Sequence, residues 1–208
     1  MVVRSKLLKD MKIYLQTQLT TLKGNIQLIA CIDRIGLVVD YKQKETIHCC
    51  WEKPKEGTIM INTDGSVNQQ GAGFGGLIRN CLGEKLLGYI GSCTVSSVTY
   101  QELQAIAKGL VGADLLGLQE VTIASDTLGS INAIMKHEKP HWYCEDLVAE
   151  IQMRAHHFRS VGFKHIFRET NRAAIGGSEP CNFFMNPPDG DLYVILNEDR
   201  DGRLYTRF

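Results

Sequence analysis

The sequence predicts a mixed α/β domain in which a five-stranded mixed sheet is flanked by helices. Three strand-like runs separated by turns, the first of them alternating and β-branched, indicate three successive strands between residues 58 and 92. Segments with apolar residues at helical spacing then alternate with two further strand-like runs, which gives the order βββαβααβ. The apolar fraction of 44% and the charged fraction of 22% are typical of a globular chain that buries a core.

The first three strands are predicted at TIMINTD, GAGFGGLIRN and EKLLGYIGS, beginning at Thr58. The first run is rich in β-branched residues, which favour strands. The segment Cys81–Gly83 between the second and third runs favours a turn. Such short connections predict an antiparallel meander.

Three helices and two strands are predicted to follow. VTYQELQAIAKGLVGADLLG and DTLGSINAIMKH read as the first two helices, and CEDLVAEIQMRAHHF, after Pro140, reads as the third. QEVTIAS and VGFKHIFRE read as the fourth and fifth strands. The predicted inward-facing residues of the first two helices are Leu103, Ile106, Ala107, Leu110, Leu128, Ile131, Ile134 and Met135.

The chain is predicted to divide into an N-terminal extension and linker (1–57), a central domain (58–175) and a C-terminal tail (176–208). WEKPKEG is linker-like and marks the first boundary. Residues 1–24 read as a short amphipathic helix because Leu7, Met11 and Leu15 recur at helical spacing.

Composition excludes several classes of protein. The 23 basic and 23 acidic residues balance, so charge alone gives no sign of nucleic-acid binding. The seven cysteines are odd in number and lack zinc-finger spacing, which argues against a disulfide scaffold and a structural zinc site. We therefore expect a reducing compartment, nuclear or cytoplasmic. No apolar run is long enough to suggest a membrane partner, and we expect a monomer.

Three carboxylates have simple structural interpretations when taken singly. Asp64 precedes a glycine and suits a turn, Glu102 suits a capping box with Thr99, and Asp126 suits a helix N-cap. The predicted order of elements, however, brings all three to one region of the sheet. Carboxylates gathered in this way repel one another unless a cation compensates, and oxygen-only ligation suits Mg²⁺ or Mn²⁺.

Four motifs in order give the chain a family resemblance: INTDGS, YQELQAIAKGL, ASDTLGSI and HIFRETNRAA. Together they resemble the ribonuclease H-like domain of plant reverse-transcriptase-like, retrotransposon-derived proteins, over roughly residues 51–200. The resemblance implies a metal-dependent endonuclease that hydrolyses the RNA strand of RNA–DNA hybrids by a two-metal mechanism. Asp64, Glu102 and Asp126 fall on three of its acidic positions and would be both catalytic and metal-binding.

The fourth acidic position departs from the family pattern. An Asp that opens a last helix is expected after NRAA, but Ile175 stands there and Gly176 and Gly177 follow. We therefore expect a truncated final helix, an uncovered sheet edge and weakened activity. Glu169 and Glu179 are the candidate substitutes for the missing acid. The alternatives are a catalytically inactive module that binds RNA or hybrid, and a degenerate transposon-derived product.

Several polar residues beside the acidic positions are candidates for binding the substrate. Ser66, Asn68, Thr99 and Gln101 have side chains suited to bonding the 2′-hydroxyls of RNA, although turn and cap roles explain them equally well. His165 is interpreted as a packed or edge residue of the fifth strand, with proton transfer as the alternative.

Overall fold

The chain forms two compact units, Met1–Ile47 with Phe208, and His48–Arg207. The computed structural model describes residues 2–19, 21–23, 26–42, 46–69, 71–171, 181–185 and 190–207. Within them, no helix is long and apolar enough to cross a membrane. The predicted domain limits at residues 57 and 175 remain predictions.

The N-terminal unit is small and mostly helical. It contains helix α1 (Val2–Gln18), strand β1 (Thr21–Lys23), helix α2 (Ile26–Ile35) and strand β2 (Asp40–Lys42). Strands β1 and β2 pair in parallel. The helix predicted over residues 1–24 therefore ends earlier than expected, and Leu7 and Met11 of its apolar stripe are exposed.

The larger unit is built on one mixed sheet. The strands and helices that follow β2 are β3 (Ile47–Cys49), β4 (Ile59–Asn68), β5 (Gly71–Arg79), β6 (Lys85–Ser92), α3 (Val98–Leu115), β7 (Glu120–Ser125), α4 (Leu128–Ile134), α5 (Glu145–Ala155), β8 (Ser160–His165), β9 (Asn182–Phe184), α6 (Gly190–Arg200) and β10 (Tyr205–Arg207). The order in the sheet is β8-β7-β4-β5-β6-β9, and β3 pairs separately with β10.

The predicted order βββαβααβ is confirmed by β4 to β8, but the sheet has six strands instead of five. The additional strand, β9, pairs antiparallel with β6. Strands β4, β7 and β8 run parallel, so their carboxyl ends lie at one edge of the sheet. This edge is where the candidate site forms.

The main core lies between one face of the sheet and helices α3 and α5. Its buried side chains include Ile61, Leu103, Ile106, Ile123 and Ile151. The predicted stripe on α3 is therefore confirmed. On α4, Ile131 and Ile134 are buried as expected, but Leu128 at its start and Met135, the residue after its end, are exposed, so this part of the predicted stripe is wrong.

A second apolar cluster joins Leu77 of the sheet to helix α6. Leu192 and Leu196 are both buried against Leu77, and each such burial contributes roughly 1.5–3 kcal/mol. The sheet is therefore covered here by a helix from the segment expected to be a tail. The proposed truncation around Ile175, and Glu179 with it, lies outside the described residues.

A buried polar network ties the C-terminal segment to the sheet. The Arg79 guanidinium lies over the Trp51 ring at 3.7 Å and donates to Asp199 Oδ2 at 2.8 Å and Asn62 Oδ1 at 2.7 Å. The Tyr205 hydroxyl donates to the other oxygen of Asp199 at 2.8 Å. Both members of the Arg79–Asp199 pair are almost wholly buried, so the network fixes α6 and β10 against the sheet.

Candidate metal centre and cleft

The register of two parallel strands places Asp64 beside Asp126. Thr63 of β4 lies opposite Ser125 of β7, so Asp64, the next residue of β4, comes beside Asp126, which follows the end of β7. Thr63 also donates to the Ala124 carbonyl. Asp64 lies within a ten-residue strand, so its interpretation as a turn residue is wrong.

Glu102 reaches the same edge from helix α3. The helix begins at Val98, and its N-cap is Ser97, whose hydroxyl accepts from the Tyr100 amide. The expected capping box between Thr99 and Glu102 is therefore wrong, and the Glu102 carboxylate is left for the cleft. The N-cap of α4 is Thr127, so Asp126 does not have the capping role that its position suggested.

A glycine makes the approach of α3 to β4 possible. A Cβ built on Gly65 would lie 2.3 Å from the Glu102 amide nitrogen and 2.5 Å from the Gln101 carbonyl carbon. Both are backbone atoms that cannot rotate away. Any side chain at this position would therefore push the start of α3 from β4 and carry Glu102 with it.

The three carboxylates form a compact cluster. One oxygen from each of Asp64, Glu102 and Asp126 lies within 4.8 Å of the others. Glu102 is only 3% exposed, and the Ser125 hydroxyl donates to its Oε2 at 3.4 Å. Three hard oxygen donors at this spacing suit Mg²⁺ or Mn²⁺.

Burial and mutual repulsion raise the pKa values of the clustered carboxyl groups. Burial, followed by the charge of Asp126, raises the pKa of Asp64 to about 6. Burial, followed by the charges of Asp126 and Asp64, raises the pKa of Glu102 to about 8. Burial also raises the pKa of Asp126, against the opposing effect of Arg168. A divalent cation would relieve this repulsion.

The cluster lies in an open cleft with two positively charged residues in its lining. Arg168 and Arg207 share the cleft with the three carboxylates, and Ser66, Val98, Thr127 and His165 complete much of its wall. His165 ends the edge strand β8, as interpreted from the sequence, and its Nε2 lies 3.1 Å from the Asp126 carbonyl oxygen.

The other candidate binding residues lie in different surroundings. Asn68 is exposed, and its side chain accepts from the Gly71 amide in the turn between β4 and β5. Gln101 is wholly buried and donates to the Val95 carbonyl at 2.7 Å. Thr99 is half-buried on the first turn of α3. Of the four candidates, only Ser66 is among the residues that line the cleft.

Sequence reasoning missed the two arginines. Arg168 lies within HIFRETNRAA, one of the four motifs that carry the family resemblance, so that motif could have indicated a residue of the site. Arg207 carried no such signal because it lies in the segment expected to be a tail. Glu169 is not among the residues that line the cleft, and its charge adds, after burial, to the raised pKa of Asp126.

A family model described as "Reverse transcriptase-like" matches residues 62–178, more than half of the chain. The chain belongs to the reverse transcriptase-like family. The matched segment of this reverse transcriptase-like protein contains all three carboxylates, whereas α6 and β10 lie beyond it. No curated protein matches the chain.

Solved structures share the fold of this reverse transcriptase-like domain. The N-terminal RNase H domain of a Mycobacterium tuberculosis protein is 21% identical, with a TM-score of 0.53 over 56% of this chain and 92% of that one. RNase H1 from Halobacterium salinarum NRC-1 is 16% identical, with a TM-score of 0.51 over 56% and 91%. LC11-RNase H1, solved with an RNA/DNA hybrid, is 22% identical, with a TM-score of 0.52 over 56% and 90%. The fold is therefore ribonuclease H-like, as predicted.

Proposed function

We propose that this chain is a nucleic-acid-binding ribonuclease H-type domain that hydrolyses the RNA strand of RNA–DNA hybrids. The observation that carries the proposal is the convergence of Asp64, Glu102 and Asp126 within 4.8 Å in an open cleft. The ribonuclease H-like fold and the reverse transcriptase-like family support the choice of substrate.

The three carboxylates would hold Mg²⁺ or Mn²⁺ in a two-metal arrangement. When bound there, the ions would supply water activation and stabilise negative charge on the leaving oxygen. The chain's own residues prepare the site. Gly65 lets α3 close on β4, and the Ser125 hydroxyl orients Glu102. Asp64 and Glu102, whose pKa values are raised to about 6 and about 8, would release protons on binding a cation.

The activity is proposed to be weakened because a fourth acid is missing at Ile175. Of the two candidate substitutes, Glu169 is the one among the described residues, and it is not one of the three clustered carboxylates. Its charge acts on Asp126, and its Oε2 lies 3.8 Å from the Arg207 guanidinium. Glu179 stays a prediction, since it lies outside the described residues. We also propose that the chain is retrotransposon-derived, monomeric and located in the nucleus or cytoplasm.

A hybrid-cleavage assay tests the proposed function. A labelled RNA–DNA hybrid is incubated with the full chain in Mg²⁺ and, separately, in Mn²⁺. We expect slow cleavage of the RNA strand, faster in Mn²⁺, which tolerates less regular ligation. Asp64→Asn should abolish it, and Asp114→Asn, an exposed aspartate on α3, should not. Binding without cleavage in either metal would favour the inactive binding module. Neither binding nor cleavage would favour the degenerate product.

A further inference from the structure

Strand β10 places an arginine at the rim of the acidic cleft. Arg207, its last residue, lines the cleft together with Asp64, Glu102 and Asp126. Its guanidinium lies over the Phe167 ring at 4.6 Å and 3.8 Å from a carboxylate oxygen of Glu169. These contacts set the direction of the side chain, which is still 43% exposed.

The strand that carries Arg207 is anchored in the core. Two residues earlier, the Tyr205 ring is buried and its hydroxyl donates to Asp199 at 2.8 Å. Asp199 in turn accepts from the buried Arg79 of the sheet. The backbone therefore fixes the position of Arg207, and a ligand at the rim would meet a guanidinium already held in place.

The positive charge of Arg207 would favour a nucleic-acid ligand in the cleft. Three carboxylates repel a phosphodiester backbone, so a strand entering the cleft requires compensating positive charge. Among the described cleft residues, that charge comes from Arg168 and Arg207, with His165 beside them. A guanidinium offers planar paired donors that match phosphate oxygens, and Arg207, stacked on Phe167 and partly exposed, has donors besides the one that faces Glu169.

We propose that Arg207, together with Arg168, forms a binding site for a backbone phosphate of a nucleic-acid strand lying in the cleft. The inference rests on the proposed function, because it takes an RNA–DNA hybrid as the ligand. It adds a contact from a segment that lies outside the family match, which ends at residue 178. The site would position the strand so that a neighbouring phosphodiester reaches the carboxylates.

Equilibrium binding of a fluorescein-labelled RNA–DNA hybrid tests the site. Fluorescence anisotropy is measured for the full chain in an Asp64→Asn background, which prevents turnover, over a range of salt concentrations. Arg207→Ala should weaken binding roughly three- to tenfold and reduce the slope of log K against log salt by about one. Arg207→Lys should retain the slope, because it keeps the charge, with an intermediate affinity.

The matched control is Arg159→Ala. Arg159 is also an exposed arginine with one acidic partner, Glu120 at 3.3 Å, but it lies at the opposite end of the parallel strands. We expect it to bind as the parent does. Melting temperatures of all variants separate lost contacts from lost folding, and a merely structural role for Arg207 would leave the salt slope unchanged.

The outcomes distinguish the two proposals. If the parent binds hybrid and Arg207→Ala has the same affinity and slope, the phosphate site is wrong while the proposed function stands. Tighter binding by Arg207→Ala would also overturn the site and indicate that the arginine blocks the cleft. If the parent does not bind hybrid at any salt concentration, the substrate assignment fails, and the phosphate site fails with it.

Discussion

Gly65 lies directly against the backbone of Glu102, so close that a Cβ would come within 2.3 Å of the Glu102 nitrogen. This contact between strand β4 and the first turns of α3 sets the distance between Asp64 and Glu102. The position of a residue with no side chain therefore determines the geometry of the acidic cluster.

Gly65→Ala should destabilise the chain by about 1–3 kcal/mol, the usual cost of overpacking, and abolish Mg²⁺-dependent cleavage. Chemical unfolding and the hybrid-cleavage assay measure the two effects. Gly129→Ala is the control, because a Cβ at this exposed helical glycine meets nothing within 4 Å. We expect the control to be neutral or stabilised by about 0.5–1 kcal/mol. Equal unfolding free energies and equal cleavage rates for the two variants would contradict the role of the Gly65 contact.

Divalent cations should stabilise the chain by mass action. Thermal melts in Mg²⁺ or Mn²⁺ should exceed those in chelator by several degrees, because a bound cation relieves the repulsion among the three carboxylates. Asp126→Asn should reduce the difference by half or more, and the exposed Asp114→Asn should leave it unchanged. Identical melts with metal and with chelator would argue against the metal centre.

Stability without metal should fall as the pH rises. The pKa of Glu102 is raised from 4.5 to about 8, so its protonated form is favoured in the folded chain. The stability that Glu102 contributes is complete below about pH 4.5 and is lost as the pH rises through about 8. Asp64 adds a similar loss of stability as the pH rises through about 6. Urea unfolding in chelator at several pH values measures this slope. Glu102→Gln should flatten it, whereas the exposed Glu138→Gln should not.

The buried pair of Arg79 and Asp199 should be essential to the fold. Asp199→Leu leaves the Arg79 charge without its carboxylate and should cost about 3–5 kcal/mol. Arg79→Met with Asp199→Leu should recover part of that loss, since no buried charge then lacks a partner. Unfolding free energies of the parent, the single variant and the double variant test this. A double variant that is less stable than the single one would contradict the explanation.

The N-terminal limit of the domain can be measured by truncation. A chain beginning at residue 48 should fold as well as the full chain, because the larger unit begins there. A chain beginning at residue 58 should be less stable by several kcal/mol, because it lacks Trp51. That side chain is 4% exposed, donates to Asn62 and lies under Arg79. Equal melting temperatures for the two truncated chains would instead favour the boundary predicted at residue 57.

Local patterns predicted the central part of the fold well. Strands β4 to β8 were predicted as strand-like runs bounded by turns, helix α3 was predicted from its helical spacing, and motif order identified Asp64, Glu102 and Asp126. The structural interpretations of Glu102 and Asp126 failed because the capping signals around them were ambiguous. Ser97, two residues before Thr99, takes the N-cap of α3, and Thr127 takes that of α4. Side-chain type alone does not decide between neighbouring hydroxyl residues.

The C-terminal segment was beyond prediction for a different reason. Strand β9 has only three residues, too few to show alternation. The partners of α6 and β10 lie far away in the sequence, with Arg79 and Asp199 separated by 120 residues. No periodicity within one segment reveals such a pair. The position of Arg207 in the cleft could not be predicted for the same reason.

That separation also affects how the chain folds during synthesis. Arg79 leaves the ribosome long before its carboxylate partner does, so the growing sheet carries a cation that it cannot yet bury. Leu77 beside it also stays uncovered until Leu192 and Leu196 emerge. Nascent chains should therefore pass through a stage in which one face of the sheet is exposed to chaperones and to other unfinished chains.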